Sequence, residues 1–149
     1  MVQEQMPLIQ VENMKKYYPV KGGIIPHTTA FIKAVDGVSF SIMQGETLGL
    51  VGESGCGKST VGRQLVGLEE PTEGSIYYKG TNLAKMKNFS RKNGERLRIR
   101  TNLQMVFQDS YSSLNPRKHI YEILAQPMLY HQVSTKETVE KDIAKLLDM

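Results

Sequence analysis

Apolar and polar residues alternate in two stretches near the start of the chain. The first is Ile9 and Val11, which alternate with Gln10 and Glu12. The second is Val38, Phe40 and Ile42, which alternate with Ser39 and Ser41. Because successive side chains of a strand point to opposite faces of a sheet, this period of two predicts two half-buried strands.

Turn-forming residues separate these strands. Residues 19–26 contain two prolines and two glycines and predict a loop. Asp36 and Gly37 are a typical pair for a two-residue hairpin turn, but the preceding strand is short, so we expect a bulge within one strand instead. Gln44 and Gly45 predict the next turn.

Three apolar runs predict further strands. Residues 47–51 form a continuous apolar run, which is typical of a strand buried on both faces. Residues 76–78 follow Gly74 and predict a short strand, and residues 103–107 predict another that ends at Gln108.

Helical periodicity appears in three places. Residues 61–68 put four apolar side chains on one side of a helix that must end before Pro71. Residues 87–98 are polar and basic and predict an exposed helix. Residues 120–130 predict a helix that is disturbed at Pro127.

The last predicted helix has the clearest signals. Ser134 and Glu137 have the spacing of a capping box at its N-terminus. The apolar stripe that follows consists of Val139, Ile143, Leu146 and Leu147. Since this stripe is still running at Met149, we expect a later element to cover it in a longer protein.

Composition restricts the class of protein. The chain has 149 residues, of which 40% are hydrophobic and 23% charged, as in ordinary globular domains. This excludes a disordered tail, a collagen and a disulfide-rich mini-protein. No window approaches the about 18 apolar residues of a membrane span, and the N-terminus lacks a signal-peptide pattern. Cys56 is the single cysteine, which favours a reducing, cytosolic compartment.

Positive charge is concentrated in one block. Residues 79–118 carry ten Lys and Arg against two acidic residues, a net charge of +8 in a chain of net charge +4. Such a block can contact nucleic acid or acidic lipid, or be a solvated face. The solvated face is favoured, since few aromatic residues are interleaved for base stacking.

A phosphate-binding loop is the strongest chemical signal. Residues 52–59 read GESGCGKS and fit G-x-x-x-x-G-K-[ST], between a predicted strand and a predicted helix. Glycines allow close backbone approach to a ligand at three positions: Gly52, Gly55 and Gly57. Lys58 supplies a charge for the β- and γ-phosphates and Ser59 a hydroxyl for Mg²⁺. Cys56 sits at a variable position, where a small filler residue is the plain interpretation.

Three sequence tracts carry a family resemblance: GESGCGKST, VFQDSYSSLNPR and MKKYYPV. They resemble an ABC transporter ATP-binding subunit, in particular the second ATPase subunit of oligopeptide and dipeptide importers. The resemblance runs from about residue 8 to residue 149. It implies an α/β P-loop NTPase fold, an ABC-type nucleotide-binding domain with an antiparallel β-subdomain, truncated at the start of its helical subdomain. The implied division is 1–115 for the nucleotide-binding core and 116–149 for the helical subdomain.

The resemblance also implies site residues, with ATP and Mg²⁺ as cofactors. Tyr18 matches the aromatic residue that stacks on adenine, with Tyr17 as the alternative one position away. Gln108 matches the glutamine that reaches Mg²⁺ and the attacking water, and shares the metal role with Ser59. The residues predicted to contact ATP are Tyr18, Gly52, Ser54, Gly55, Cys56, Gly57, Lys58, Ser59 and Thr60.

The implied partners are the transmembrane permease subunits and a second ATP-binding subunit, with no nucleic acid. Residues 109–117 resemble the face that docks on the permease, which places the protein peripherally on the cytoplasmic side of the membrane. The basic block would then surround this contact arm.

Three motifs of the family are missing from the sequence: the Asp-Glu pair after an apolar strand, an LSGGQ-like segment and the switch histidine. Because in-line attack needs positioned water and charge stabilisation, we do not expect this chain alone to hydrolyse ATP. The alternative functions are a catalytically incompetent nucleotide-binding fragment and an ABC-type ATPase that acts on nucleic acid.

Overall fold

The computed structural model describes residues 6–22, 27–83, 99, 101–108 and 114–149. It divides into two compact units, Met1–Leu103 and Gln104–Met149. The helix predicted for residues 87–98 lies outside the described residues, as do most of the basic block and residues 109–113 of the predicted docking face.

An antiparallel sheet forms the first unit, in the order β2-β1-β3-β4. Its strands are β1 (Ile9–Gly22), β2 (His27–Ile42), β3 (Glu73–Tyr78) and β4 (Thr81–Asn82). Ile9 pairs with Ile42 on one side and with Tyr78 on the other. The strands predicted around residues 9–11, 38–42 and 76–78 are therefore confirmed, and so is the turn at Gln44 and Gly45.

The loop predicted for residues 19–26 is wrong for its first half. Strand β1 continues to Gly22, and Pro19 pairs with Phe31 of β2. The β1–β3 pairing extends only to Lys15 and Glu73, so β1 is an edge beyond that point. A proline there loses no ladder hydrogen bond on its free side, which is why the strand tolerates it. Residues 23–26 lie outside the described residues.

Strand β2 contains the predicted bulge. Met14 pairs with Val38 and Lys15 with Asp36, so Gly37 is left without a partner at φ +78°. Further register shifts occur in the ladder, one of them between Lys16 and Tyr17. A shift of this kind changes which residues face each side of the sheet.

The core of the first unit lies between one face of the sheet and helix α1 (Lys58–Leu65). Its buried residues are Ile9, Val11, Met14, Val35, Val61, Ile76, Tyr78 and Ile99. The helix predicted at residues 61–68 is confirmed, but α1 begins earlier, at Lys58, and ends earlier, at Leu65, well before Pro71.

Two predicted strands are wrong. Residues 47–51 and 103–107 have no strand structure, although both are apolar. Leu50 is 44% exposed and Val51 97% exposed, so the first run is not buried either. An apolar run indicates a tendency to be buried, but a strand also needs a neighbour for its backbone hydrogen bonds. No strand in the described part of the chain pairs with either run.

The second unit contains two helices, α2 (Ile120–Tyr130) and α3 (Val139–Leu147). They bury Ala125, Val139 and Ile143 against each other. Helix α2 continues past Pro127, whose carbonyl accepts a hydrogen bond from the amide of His131 at 2.9 Å. None of the helices in the described part of the chain has the length and apolar character needed to cross a membrane.

The capping box predicted at Ser134 and Glu137 is wrong. A turn precedes α3, and Thr138 occupies its cap position. The Ser134 hydroxyl instead donates to Asp142 at 2.8 Å, and this bond lowers the pKa of the Asp142 carboxyl. Ser134 is buried and donates to a residue in the first turn of α3, so it stabilises the start of that helix. Of the predicted stripe, Leu146 and Leu147 are exposed.

Candidate nucleotide-binding site

The predicted phosphate loop leads directly into α1. Gly57 is the N-cap residue at φ +95°, and its carbonyl accepts the first helical hydrogen bond, from Val61, at 2.9 Å. A Cβ at position 57 would lie 2.2 Å from the carbonyl oxygen of Ala34 in β2. Glycine is therefore required for the helix to begin directly against the sheet.

The N-terminus of α1 is suited to an anion. No side chain caps it, and its first turn contains no acidic residue. The backbone N–H groups at the start of a helix point outward, and the helix dipole adds positive potential there. The first three residues of the helix are the predicted site residues Lys58, Ser59 and Thr60. This end of α1 therefore has the donors that a phosphate group needs.

Lys58 folds back over the loop. Its ammonium donates to the carbonyl oxygens of Gly52 at 2.7 Å and Glu53 at 2.6 Å. The Sγ atom of Cys56 lies 3.5 Å from the same nitrogen. A Cβ at Gly52 would come within 2.6 Å of that sulfur, so the thiol fills the space beside Gly52. The Lys58 ammonium is thus held beside the loop by two neutral carbonyl oxygens, which phosphate oxygens can replace.

The two tyrosines of β1 have different surroundings. The Tyr18 hydroxyl donates to Glu69 at 2.5 Å, and this bond raises the pKa of Tyr18, while the Thr60 hydroxyl has a smaller opposing effect. The Tyr17 hydroxyl donates to Asp36 of β2, which raises the pKa of Tyr17. Tyr18 is therefore bonded to the segment after α1, and Tyr17 to strand β2.

Comparison with known protein families agrees with the class of protein that the phosphate loop indicates. The family model described as ABC transporter matches residues 35–148, most of the chain. The chain belongs to the ABC transporter family. The α/β P-loop fold expected from the sequence is thereby confirmed, including its antiparallel β-subdomain.

Curated relatives of this ABC chain are peptide transport proteins by name. The oligopeptide transport ATP-binding protein AppF of Bacillus subtilis is 43% identical over 96% of the chain. The dipeptide transport ATP-binding protein DppF of Haemophilus influenzae is 47% identical over 97%. The chain spans 42% and 43% of the length of these two relatives.

A solved ABC cassette has a similar structure. It is a dimeric ATP-binding cassette in a post-hydrolysis state, bound to ADP and Pi. The TM-score is 0.67 with 26% sequence identity, over 94% of the chain and 56% of the solved one. The ABC domain is a nucleotide-binding domain, and the residues of the loop are those expected to bind the phosphates.

The remaining predicted residues of the ABC site are Ser54, Gly55 and Gln108. Ser54 and Gly55 form an exposed turn of the loop. Gln108 is exposed and belongs to the second unit. Its catalytic and metal roles stay predictions. The described residues contain no cluster of three or more His, Cys, Asp or Glu side chains for a metal.

The sequence interpretation missed Glu69 and Lys16. Glu69 accepts the Tyr18 hydrogen bond, and the Lys16 ammonium lies 5.3 Å from the centroid of the Tyr18 ring. Glu69 is 51 positions from Tyr18 along the chain. No local pattern links residues so far apart, so only the three-dimensional arrangement shows the contact.

Alkylation of Cys56 is expected to block nucleotide binding. The thiol is exposed and lies against both Gly52 and the Lys58 ammonium, so a bulky adduct would occupy the loop. Mg-ATP should protect the thiol, which can be measured as a slower rate of labelling by iodoacetamide. A Cys56→Ser variant is the unlabelled control. Equal labelling rates with and without Mg-ATP would contradict the placement of Cys56 in the site.

Proposed function

We propose that the chain is the ATP-binding part of an ABC importer for oligopeptides or dipeptides. The observation that carries this proposal is the uncapped N-terminus of α1 with the Lys58 ammonium held beside it by two loop carbonyls. Relatives named as oligopeptide and dipeptide transport ATP-binding proteins support peptides as the transported class.

The phosphates of ATP bind at the start of α1. Backbone N–H groups from Gly55 to Thr60 donate to phosphate oxygens, where the helix dipole favours negative charge. Lys58 exchanges its contacts with Gly52 and Glu53 for the β- and γ-phosphate oxygens. It can do so at low cost, because both present acceptors are neutral carbonyls at an exposed loop.

The residues present fit a magnesium ion that arrives with the nucleotide. Ser59 is exposed in the first turn of α1, where its hydroxyl can act as a ligand, and that turn has no acidic residue to hold a cation by itself. Mg²⁺ supplies charge neutralisation at the β- and γ-phosphates and keeps several of its waters. Gln108 is proposed as a further ligand and as the residue that orients the attacking water.

Tyr18 stacks on the adenine base. Tyr18 is 36% exposed, and its hydroxyl donates to Glu69 in the segment after α1. Stacking on an aromatic side chain contributes about 1–3 kcal/mol per base and discriminates little between bases. The phosphates therefore contribute more to the affinity for ATP than the base does.

Transmembrane permease subunits and a second ATP-binding subunit are the proposed partners, without nucleic acid. Residues 109–117 dock on the permease, which puts the protein on the cytoplasmic face of the membrane as a peripheral subunit. The core covers residues 1–115 and the helical subdomain begins at residue 116. Two nucleotides bound between paired domains would then couple ATP binding to a rigid-body movement of the permease.

Lys58→Ala is expected to weaken Mg-ATP binding by about 100-fold, since it removes the ammonium that the proposal assigns to the β- and γ-phosphates. Isothermal titration calorimetry on the purified chain measures this. Lys136→Ala, at an exposed turn in the second unit, is the charge-matched control and should bind normally. Unchanged affinity in Lys58→Ala would contradict the phosphate site.

The transport part of the proposal needs the whole transporter. In vesicles that contain it, Lys58→Ala should abolish ATP-dependent uptake of a labelled tripeptide. Tight, salt-dependent binding of the protein to random duplex DNA would instead favour the nucleic-acid alternative.

A further inference from the structure

The ring of Tyr18 is held through Glu69 and Glu70, two consecutive residues in the segment after α1. Glu69 Oε2 accepts the Tyr18 hydroxyl at 2.5 Å. The backbone oxygen of Glu70 accepts the Lys16 ammonium at 2.7 Å, and that ammonium lies 5.3 Å from the Tyr18 ring centroid. The ring is therefore fixed at its hydroxyl end and has a cation near it, while 36% of the residue remains exposed.

Glu69 is itself anchored to the helix. Its other carboxylate oxygen lies 3.5 Å from Nη1 of Arg63, and its amide donates to the Arg63 carbonyl at 3.3 Å. Arg63 is in the last turn of α1, and Lys58 is in the first. A chain of polar contacts thus connects the Tyr18 ring to the helix whose N-terminus forms the phosphate site.

We propose that Glu69 is a positioning residue for the nucleotide base, which sets the orientation of the Tyr18 ring relative to the phosphate loop. The proposal rests on the proposed function, because it assumes that ATP binds at this loop. A charged acceptor makes the hydroxyl–carboxylate bond stronger than a neutral one. The ring is then already ordered before the base arrives, which reduces the entropy lost on stacking.

A purely structural role for Glu69 makes a different prediction. If the Tyr18–Glu69 bond only tied β1 to the segment after α1, its loss would weaken the binding of every ligand of the loop equally. A positioning role affects only ligands that carry a base. ATP and inorganic tripolyphosphate share the phosphate chain and differ in the nucleoside, so the pair separates the two roles.

The experiment measures the affinities of Mg-ATP and Mg-tripolyphosphate for the purified full chain. Glu69→Ala should weaken ATP binding about tenfold, within the range that base stacking contributes, and change tripolyphosphate binding by less than about twofold. Glu69→Gln should restore most of the ATP affinity, since its amide oxygen still accepts the hydroxyl. Glu12→Ala, an exposed carboxylate on β1, is the charge-matched control.

A second variant tests the same contact from the other side. Tyr18→Phe keeps the ring and removes the hydroxyl, so it should reproduce the selective loss of ATP affinity. When Tyr18→Phe is combined with Glu69→Ala, it should add little further loss of ATP affinity, because both changes break the same hydrogen bond. Tyr18→Phe alone remains informative if Glu69→Ala folds poorly.

Three outcomes overturn the proposal. Equal losses for ATP and tripolyphosphate in Glu69→Ala would show a structural role, and unchanged affinity for both would show no role. Additive losses in the double variant would mean that Glu69 and Tyr18 act separately. If Lys58→Ala leaves tripolyphosphate binding unchanged, the proposed function itself fails. That result is distinct from one in which Lys58→Ala weakens tripolyphosphate binding as expected and only the effect of Glu69 on ATP binding is absent.

Discussion

Replacing Gly57 by alanine is expected to cost about 3 kcal/mol of folding stability or more, and nucleotide binding with it. The φ angle of +95° is unfavourable for a residue with a Cβ by about 1–2 kcal/mol. The new methyl group would also lie 2.2 Å from the Ala34 carbonyl oxygen, a backbone atom in the middle of a paired strand. Forcing that contact apart costs about 1–3 kcal/mol more. Urea denaturation followed by circular dichroism measures the loss.

Gly55 provides the matched control for this prediction. It has a similar φ of +82°, but a Cβ there would meet nothing within 4 Å. Gly55→Ala should therefore lose only the conformational part, about 1 kcal/mol. The difference between the two variants isolates the contact between the loop and β2. Equal losses in both would contradict the close approach of α1 to Ala34.

Replacing Gln64 by methionine is expected to raise the stability of the first unit by about 2 kcal/mol. Gln64 is 1% exposed in α1, and neither its amide nitrogen nor its amide oxygen has a hydrogen-bond partner among the described residues. Burying polar atoms without partners costs free energy that an apolar side chain of similar shape does not lose. Methionine also keeps the helix propensity of the position.

An exposed glutamine is the control for the Gln64 experiment. Gln10 lies on β1, where its amide bonds Glu12 at the surface, so Gln10→Met should change stability by less than about 0.5 kcal/mol. Both variants are compared by their urea midpoints at constant m-value. A destabilised Gln64→Met would show that the buried amide is satisfied, for instance by an internal water molecule.

The phosphate loop could be predicted from sequence because its chemistry is local. Eight consecutive residues determine both the turn before α1 and the donors at the helix N-terminus, so the motif and the structure agree at Gly57 and Lys58. Strands with alternating residues were also predictable, since buried and exposed residues alternate at the start of β1, buried and half-buried ones in β3, and half-buried and exposed ones at the end of β2.

Features that depend on distant partners could not be predicted. Residues 47–51 have the composition of a central strand, but whether they form one depends on which backbone pairs with them. Ser134 has the spacing of a capping residue, yet its hydroxyl bonds Asp142, which packing of the α2–α3 pair brings within reach. In both cases the local pattern did not determine the partner.

The irregularity of β1 between Val11 and Met14 affects which tyrosine lies beside Glu69, and so which one the proposed function assigns to the base. Adjacent residues of a strand project to opposite sides, so one aromatic ring meets Asp36 and its neighbour meets Glu69. A single residue inserted or deleted upstream in β1 would exchange the two environments. Numbering along the chain is therefore a poor guide to the base-contacting residue in homologous chains. Alignments of such chains should be anchored on the irregularity of β1 between Val11 and Met14, with the tyrosine assigned from its side of the sheet.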